Sequence, residues 1–133
     1  MANFEFAYTL DGSDPIIEEF VVKNAVVLSA GEFVNLESGE VDSGATNDTA
    51  FVGIAVEAVD NTSDGESVKC IVNRYAVYRV TDANARTVGD TLDLASGALG
   101  VTTNSNADFL VVKTTSATEP TYVMVTAGNH WLD

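Results

Sequence analysis

Histidine and cysteine are almost absent from this sequence. Its 133 residues include one histidine, His130, and one cysteine, Cys70. A lone cysteine excludes an intramolecular disulfide, and one histidine with one cysteine cannot hold a catalytic zinc ion unless carboxylates join them. Histidine is the commonest base at neutral pH, and no catalytic-triad motif accompanies His130. We therefore predict no catalytic residue, no metal site and no cofactor, and a protein that is not an enzyme.

Basic residues are scarce as well. Six Lys and Arg stand against twenty Asp and Glu, so the net charge is -14. Nucleic acids are bound mainly through cationic contacts to phosphates, and we expect no nucleic-acid partner. The sequence contains no run of about 18 apolar residues, which predicts no membrane span. Its first twenty residues hold acids but no basic residue, unlike a secretory signal, and this predicts synthesis in a cytoplasm.

Apolar residues are plentiful, and part of their order is repeated. They make up 46% of the chain, which is ordinary for one globular domain. The stretch 31–41, GEFVNLESGEV, returns 58 positions later at 89–99 as GDTLDLASGAL. Each copy is an alternating strand that leads into a Ser-Gly turn, and the same offset carries Phe51 onto Phe109. We predict two repeated hairpin units, at about residues 30–72 and 88–128.

Short β-branched and aromatic stretches, separated by Gly, Asp, Asn and Ser turns, fill most of the chain. Residues 51–59 are apolar at nearly every position, as expected for a strand that is covered on both sides. No stretch has a helical period. These features predict an all-β fold, a small barrel or sandwich, with a single β-domain over residues 16–133. The repeat is compatible with one closed barrel and with two packed sheets.

Residues 1–15 are predicted to form an N-terminal arm or edge strand. Phe4, Phe6, Tyr8 and Leu10 recur at period two, which places them on one face of a strand. Gly, Asp and Pro at 11–15 then favour a turn. The strand can belong to the edge of the chain's own sheet, or it can be added to a neighbouring subunit or partner.

Two charged stretches have some features of ligand sites. The loop at 60–66 matches the first positions of an EF-hand loop, but Ile71 stands where the bidentate Glu belongs, so we interpret the loop as a solvated turn. Arg74, Arg79 and Arg86 lie near two tyrosines, as in a basic stacking surface. Because acids are so abundant, we interpret these arginines as ion-pair partners.

The order of elements resembles that of the capsid cement, or head decoration, proteins of tailed bacteriophages. The resemblance rests on AGEFVNL at 30–36, VGIAV at 52–56, VKCIV at 68–72 and GDTL at 89–92, and it spans about residues 20–128. It implies a β-tulip-like fold and a structural virion protein that binds the outer surface of an assembled capsid and stabilises it. It also implies the major capsid protein as partner, a homotrimer, synthesis in the host cytoplasm and a final location on the capsid exterior.

The resemblance does not cover the residues that we predict to contact a partner or another subunit. These are the aromatic residues Phe4, Phe6, Tyr8 and Trp131, because exposed aromatic side chains supply much of the energy of interfaces. Packing in the core is the alternative for each of them. A competing function is an extracellular adhesion or carbohydrate-binding β-module, in which Trp131, Tyr75 and Tyr78 form a stacking platform for sugars.

Overall fold

A computed structural model of the chain describes residues 3–103 and 105–133. Residues 1 and 2 of the predicted arm and Asn104 lie outside the described residues. The described residues form strands and no helix, which confirms the all-β class, and none of them belongs to a helix that could cross a membrane. In chain order the strands are β1 (Glu5–Thr9), β2 (Ile17–Val21), β3 (Val27–Leu28), β4 (Phe33–Glu37), β5 (Glu40–Ser43), β6 (Phe51–Ile54), β7 (Val59–Asp60), β8 (Ser67–Ile71), β9 (Ala76–Val80), β10 (Thr91–Leu94), β11 (Val101–Thr102), β12 (Phe109–Val111) and β13 (Thr121–Val125).

Five strands close into a small barrel. Antiparallel ladders join β2 to β8, β4 to β5 and β4 to β6. Two isolated bridges complete the ring, because Val22 pairs with Val41 of β5 and Ala55 pairs with Cys70 of β8. The order around the barrel is therefore β2, β5, β4, β6, β8 and back to β2. Its interior, the barrel core, contains Val22, Leu28, Val34, Val41, Val52, Ala55, Val68, Cys70 and Val72.

A six-stranded antiparallel sheet packs against this barrel. Its strand order is β1-β9-β13-β12-β10-β11. A second core, the aromatic core, fills the space between the sheet and the barrel and includes the rings of Phe4, Phe33, Phe51, Tyr78 and Phe109. The fold thus combines both arrangements that the sequence left open, since it has a closed barrel and a sheet packed on it.

Strands β4 and β6 contribute to both cores because their side chains alternate. Phe33 and Phe51 lie in the aromatic core, whereas Val34 and Val52 lie in the barrel core. Every residue of β6 is buried, as predicted for a strand covered on both sides. The strand is shorter than the predicted 51–59, because the chain leaves the ladder after Ala55 and turns towards β7.

The two similar hairpins have the same strand order but different turns. Strand β4 lies between β5 and β6, and β10 lies between β11 and β12. Glu37 pairs with Glu40, so Ser38 and Gly39 form a two-residue turn with φ of 50° and 82°. Positive φ at both positions matches the right-handed twist of the strands and suits glycine. Strands β10 and β11 are joined by the longer segment 95–100, so the predicted Ser-Gly turn is tight only in the first hairpin.

Candidate functional site

Phe4 lies in the aromatic core of its own chain. Its side chain is 1% exposed, and its ring centroid is 4.8 Å from that of Phe33 and 5.5 Å from that of Phe109. Phe6 is partly buried against the same core, 6.4 Å from the ring of Tyr78. Both residues therefore pack in the core of their own chain, which was the alternative to a partner contact. Neither offers an exposed ring to a partner.

A β-bulge in β1 separates Tyr8 from the two phenylalanines. Phe6 pairs with Tyr78 of β9, but Tyr8 pairs with Val77, so the register shifts between Phe6 and Tyr8. The extra residue of a bulge shifts the alternation of the strand, so that the side chains after it lie on the opposite face of the sheet. The prediction that Phe4, Phe6, Tyr8 and Leu10 share one face is therefore wrong. Tyr8 lies on the outer face of the sheet and is 41% exposed.

Trp131 packs beside the barrel. Its ring lies 5.5 Å from that of Phe20, edge to face, and its Nε1 donates to the carbonyl of Val72 at 3.4 Å.

Tyr78 is 1% exposed and belongs to the aromatic core. A sugar platform of Trp131, Tyr75 and Tyr78 is therefore not formed, because Tyr78 is inaccessible. Of the three, only Tyr75 is well exposed, at 47%.

The outer side of the six-stranded sheet forms a continuous surface, which we call the aromatic face. The ladders place side chains of neighbouring strands side by side in two rows across β1, β9, β13 and β12. One row passes through Tyr8, Val77, Met124 and Leu110, and the other passes through Glu5, Arg79 and Tyr122, with Lys113 beside it. Tyrosine, methionine and arginine are the residue types that are enriched at protein interfaces.

Two tyrosine rings cover the middle of the aromatic face. Tyr8 lies on β1 and Tyr122 on β13, on either side of β9, yet their ring centroids are only 6.4 Å apart. The rings therefore lean together over β9, where Val77 is fully buried. The face is thus an ordered aromatic surface rather than a set of separate exposed residues.

Cations border this face. Arg79 Nε donates to Glu5 Oε1 at 3.1 Å, and both side chains are exposed. This hydrogen bond and the charge of Glu5 raise the pKa of Arg79 above its ordinary value. Lys113 Nζ lies 4.9 Å from the ring centroid of Tyr122, a cation–π arrangement. The face therefore carries two cations, Arg79 paired with Glu5 and Lys113 over Tyr122, on a chain whose net charge is strongly negative.

All three arginines form ion pairs, which confirms their predicted role. Besides the Arg79 pair, Arg74 contacts Asp133 at 2.5 Å and Arg86 contacts Asp82 at 2.5 Å. Burial alone would raise the pKa of Asp82, but hydrogen bonds from Arg86 and other neighbours lower it overall. The Arg79 pair joins β9 to β1, and the Arg74 pair joins the segment before β9 to the C-terminal Asp133.

An open cleft of about 490 Å³ lies at one end of the aromatic face. Its lining includes Glu5, Arg79, Thr81, Thr118 and Glu119. Among the residues that the structure describes, the lining contains no aromatic ring on which a ligand could stack. We therefore take the aromatic face, and not the cleft, as the candidate interaction surface.

The loop at 60–66 is organised by a buried asparagine. Asn61 is fully buried, and its side-chain amide donates to the carbonyls of Val22 and Lys23 at 2.9 Å each. Its Oδ1 accepts from the backbone N–H of Glu66 at 2.8 Å. Within the part of the chain that the structure describes, no three His, Cys, Asp or Glu side chains are placed to hold a metal ion.

The two residues with catalytic potential are both buried. Burial and, secondarily, the charge of Glu57 raise the pKa of the Cys70 thiol to about 12. His130 is 2% exposed, and its Nδ1 accepts from the backbone N–H of Leu132 at 3.2 Å. Burial and the positive charge of Arg74 lower the pKa of His130 to about 4, although Asp133 opposes this shift. Both groups are therefore uncharged at neutral pH.

The low pKa of His130 predicts acid sensitivity. The unfolded chain binds a proton at the ordinary pKa of about 6.5, whereas the folded chain binds it only at about 4. The stability that a neutral His130 contributes is complete above pH 6.5 and is lost as the pH falls towards 4, a loss of about 3 kcal/mol. We expect denaturant unfolding at several pH values to record this loss.

His130→Asn is the matched variant, since the amide oxygen can accept the Leu132 hydrogen bond but does not titrate. The difference in unfolding free energy between wild type and variant is expected to shrink as the pH falls from 7 to 4. A difference that stays constant over this range would contradict the assignment to His130.

Sequence reasoning missed several residues of the aromatic face, namely Leu110, Lys113, Tyr122 and Met124. Strand β13 does alternate, with Val123 and Val125 in the aromatic core and Tyr122 and Met124 on the other side. Both sides of this strand carry large apolar side chains, so its period of two identifies two faces without saying which is outside. The pairing of β13 between β9 and β12 supplies that information.

Comparisons with known proteins reveal one kind of likeness. No protein-family model matches the chain, and no curated protein matches its sequence. Among solved structures, the chain is similar to the head fiber gp8.5 N base of bacteriophage phi29, with a TM-score of 0.55 and 18% sequence identity. The match covers 86% of this chain and 98% of the phi29 chain. At this identity the likeness concerns the fold.

Proposed function

We propose that this chain is a structural virion protein, which binds the outer surface of an assembled phage head and stabilises it. The observation that carries the proposal is the fold likeness to a head fiber base, which extends over nearly the whole of that chain. The resemblance to head decoration proteins supports it separately, because that resemblance rests on glycine and apolar positions in the sequence. In this role its partner is the major capsid protein and its location is the capsid exterior, after synthesis in the host cytoplasm.

The bound form in this proposal is a homotrimer, as the resemblance to decoration proteins implies. Several copies held together attach more strongly than one, because each further contact becomes intramolecular once the first has formed. The net charge of -14 keeps such a protein soluble and disfavours contact with packaged DNA. Of the predicted interface residues, Tyr8 remains available for a contact, whereas Phe4 serves the core.

The test uses intact particles of the phage that encodes the chain. Antibodies against the purified chain, labelled with gold, are expected to mark the heads in electron micrographs. Particles made without the gene are expected to release their DNA at a lower temperature, measured as the fluorescence of a DNA-binding dye during heating. Adding the purified chain back should restore the higher release temperature.

Three results would contradict the proposal. They are the absence of label from purified particles, label confined to the tail, and a release temperature that is the same with and without the gene. An antibody to the major capsid protein serves as the positive control for access to the head surface.

A further inference from the structure

Residues 129–133 lie along the edge of β6. The backbone N–H of Phe51 donates to the carbonyl of Asn129 at 2.8 Å, and the N–H of Trp131 donates to the carbonyl of Phe51 at 3.0 Å. These two hydrogen bonds form a parallel bridge between Phe51 and His130. The 129–133 segment is therefore attached to β6 through the residues on either side of His130.

The turn that contains His130 is closed by the carboxylate of Asp133. Its Oδ2 accepts from the backbone N–H groups of Gly128 and His130, at 2.7 Å and 3.0 Å. Its Oδ1 accepts from Arg74, which precedes β9. The oxygens of Asp133 are thus already used to hold the turn in place.

The hydrogen bond of the His130 ring fixes its tautomer. Nδ1 accepts from the backbone N–H of Leu132 at 3.2 Å, so the neutral ring carries its proton on Nε2. A second proton must therefore bind at Nδ1. It would then face the N–H of Leu132, which is also a donor, and this hydrogen bond would be lost. A protonated His130 is thus incompatible with the turn as it is folded.

The surroundings of His130 also disfavour a positive charge on the ring. Its side chain is 2% exposed, and burial of an ion is costly. The charged groups that face it are Arg74, which opposes protonation, and Asp133, which favours it. From β6, the backbone of Val52 faces the ring and also favours protonation. Burial and the charge of Arg74 outweigh the other two, because the pKa of His130 is lowered to about 4.

We infer that protonation of His130 releases the 129–133 segment from β6 while the barrel and the six-stranded sheet stay folded. The segment contributes one bridge and no strand to either layer. Such local openings cost less free energy than unfolding of the whole chain. Release gives the charged ring access to water. At neutral pH the ring is uncharged and the segment remains in place.

Release changes the surface of the barrel. It uncovers the ring of Phe20 on β2, against which Trp131 packs edge to face. It also leaves the N–H and the carbonyl of Phe51 without their partners in the segment, so β6 gains an open edge. Acid would therefore expose both an apolar ring and a strand edge that are covered at neutral pH.

The experiment follows Trp131, the one tryptophan of the chain, from pH 7 to pH 4. In the wild type, we expect the emission maximum to shift to longer wavelength and acrylamide to quench the emission more strongly, with a midpoint between about 6.5 and about 4. Intensity alone is not used, because the His130 ring is 6.4 Å from the indole and quenches it directly when charged. Far-ultraviolet circular dichroism is expected to stay unchanged over the same range.

His130→Asn is the matched variant for this experiment. Its amide oxygen can accept from Leu132 but does not titrate, so Trp131 is expected to stay packed at pH 4. Burial, with neighbouring acids, raises the pKa of Asp48. This carboxyl is present in both proteins, so its titration affects both alike.

Three results would overturn the inference. They are a Trp131 that stays inaccessible at pH 4, an equal acid response in wild type and variant, and a loss of the strand signal at the same pH as the exposure of Trp131. A further measurement needs no variant, because His130 is the one histidine of the chain and its imidazole NMR signals are unambiguous. Protonation of His130 is expected to coincide with release of Trp131, and different midpoints would also contradict the inference.

Discussion

Replacing Gly53 with alanine is expected to destabilise the protein by about 4 kcal/mol, a large part of the stability of a typical domain. Gly53 lies in the middle of β6, which is buried on both sides. Its φ of 149° is a conformation that residues with a side chain rarely adopt. A Cβ atom at this position would overlap the carbonyl oxygen of Ile71 and would lie 2.7 Å from the hydroxyl of Tyr78.

Neither neighbour of Gly53 can move away easily. Ile71 O is a backbone atom of β8, and Tyr78 is a fully buried ring in the aromatic core. The overlap must therefore shift a strand of the barrel, and this overpacking adds to the backbone strain. Equilibrium unfolding in urea, compared with wild type, measures the loss.

Gly65→Ala is the matched control for the Gly53 prediction. Gly65 also has a positive φ, of 90°, but apart from its chain neighbours no atom of the described residues lies within 4 Å of the position that a Cβ would occupy. Its replacement is expected to cost only about 1 kcal/mol, from backbone conformation alone. Equal losses for the two variants would contradict the close contact at Gly53.

Replacing Phe33 with alanine is expected to cost about 4 kcal/mol as well, for a different reason. Phe33 is fully buried on β4, and its ring is within 6 Å of four other rings. The centroid distances are 4.8 Å to Phe4, 5.8 Å to Phe51, 5.0 Å to Tyr78 and 5.0 Å to Phe109. Alanine removes the apolar surface and leaves a cavity that these rings cannot fill completely.

The control for Phe33 keeps a large apolar side chain but not the ring. Phe33→Leu is expected to cost about 1.5 kcal/mol or less, since hydrophobic replacements of similar volume are tolerated best. Thermal unfolding followed by circular dichroism ranks the three proteins. If the alanine variant is as stable as the leucine variant, the surrounding rings must move to fill the cavity. This result would contradict the fixed packing of the four rings around Phe33.

Much of the strand pattern could be predicted because it depends on local sequence. Strands β10 and β13, at 91–94 and 121–125, are stretches of apolar and β-branched residues bounded by turns, which is the pattern that predicted an all-β fold. The break between β2 and β3 contains Lys23 and Asn24, two polar residues between groups of β-branched residues. The burial of β6 also followed from its composition.

Features that depend on distant pairing could not be predicted. The bulge before Tyr8 is a shift in the pairing of β1 with β9, which lies about 70 residues later in the chain. Because of this shift, Tyr8 faces outward. The barrel is closed by the pairs Val22 with Val41 and Ala55 with Cys70, each between segments that no local pattern connects. The aromatic face was missed for the same reason, since its rows are assembled across four strands.

The sharing of β4 and β6 between the two cores has a consequence for cooperativity. A strand whose successive side chains belong to different cores cannot leave one core while it stays in the other. The barrel and the six-stranded sheet should therefore lose their structure in a single transition, without a populated half-folded state. Trp131 beside the barrel and the tyrosines of the sheet are spectroscopic probes of the two layers, and their unfolding curves should coincide.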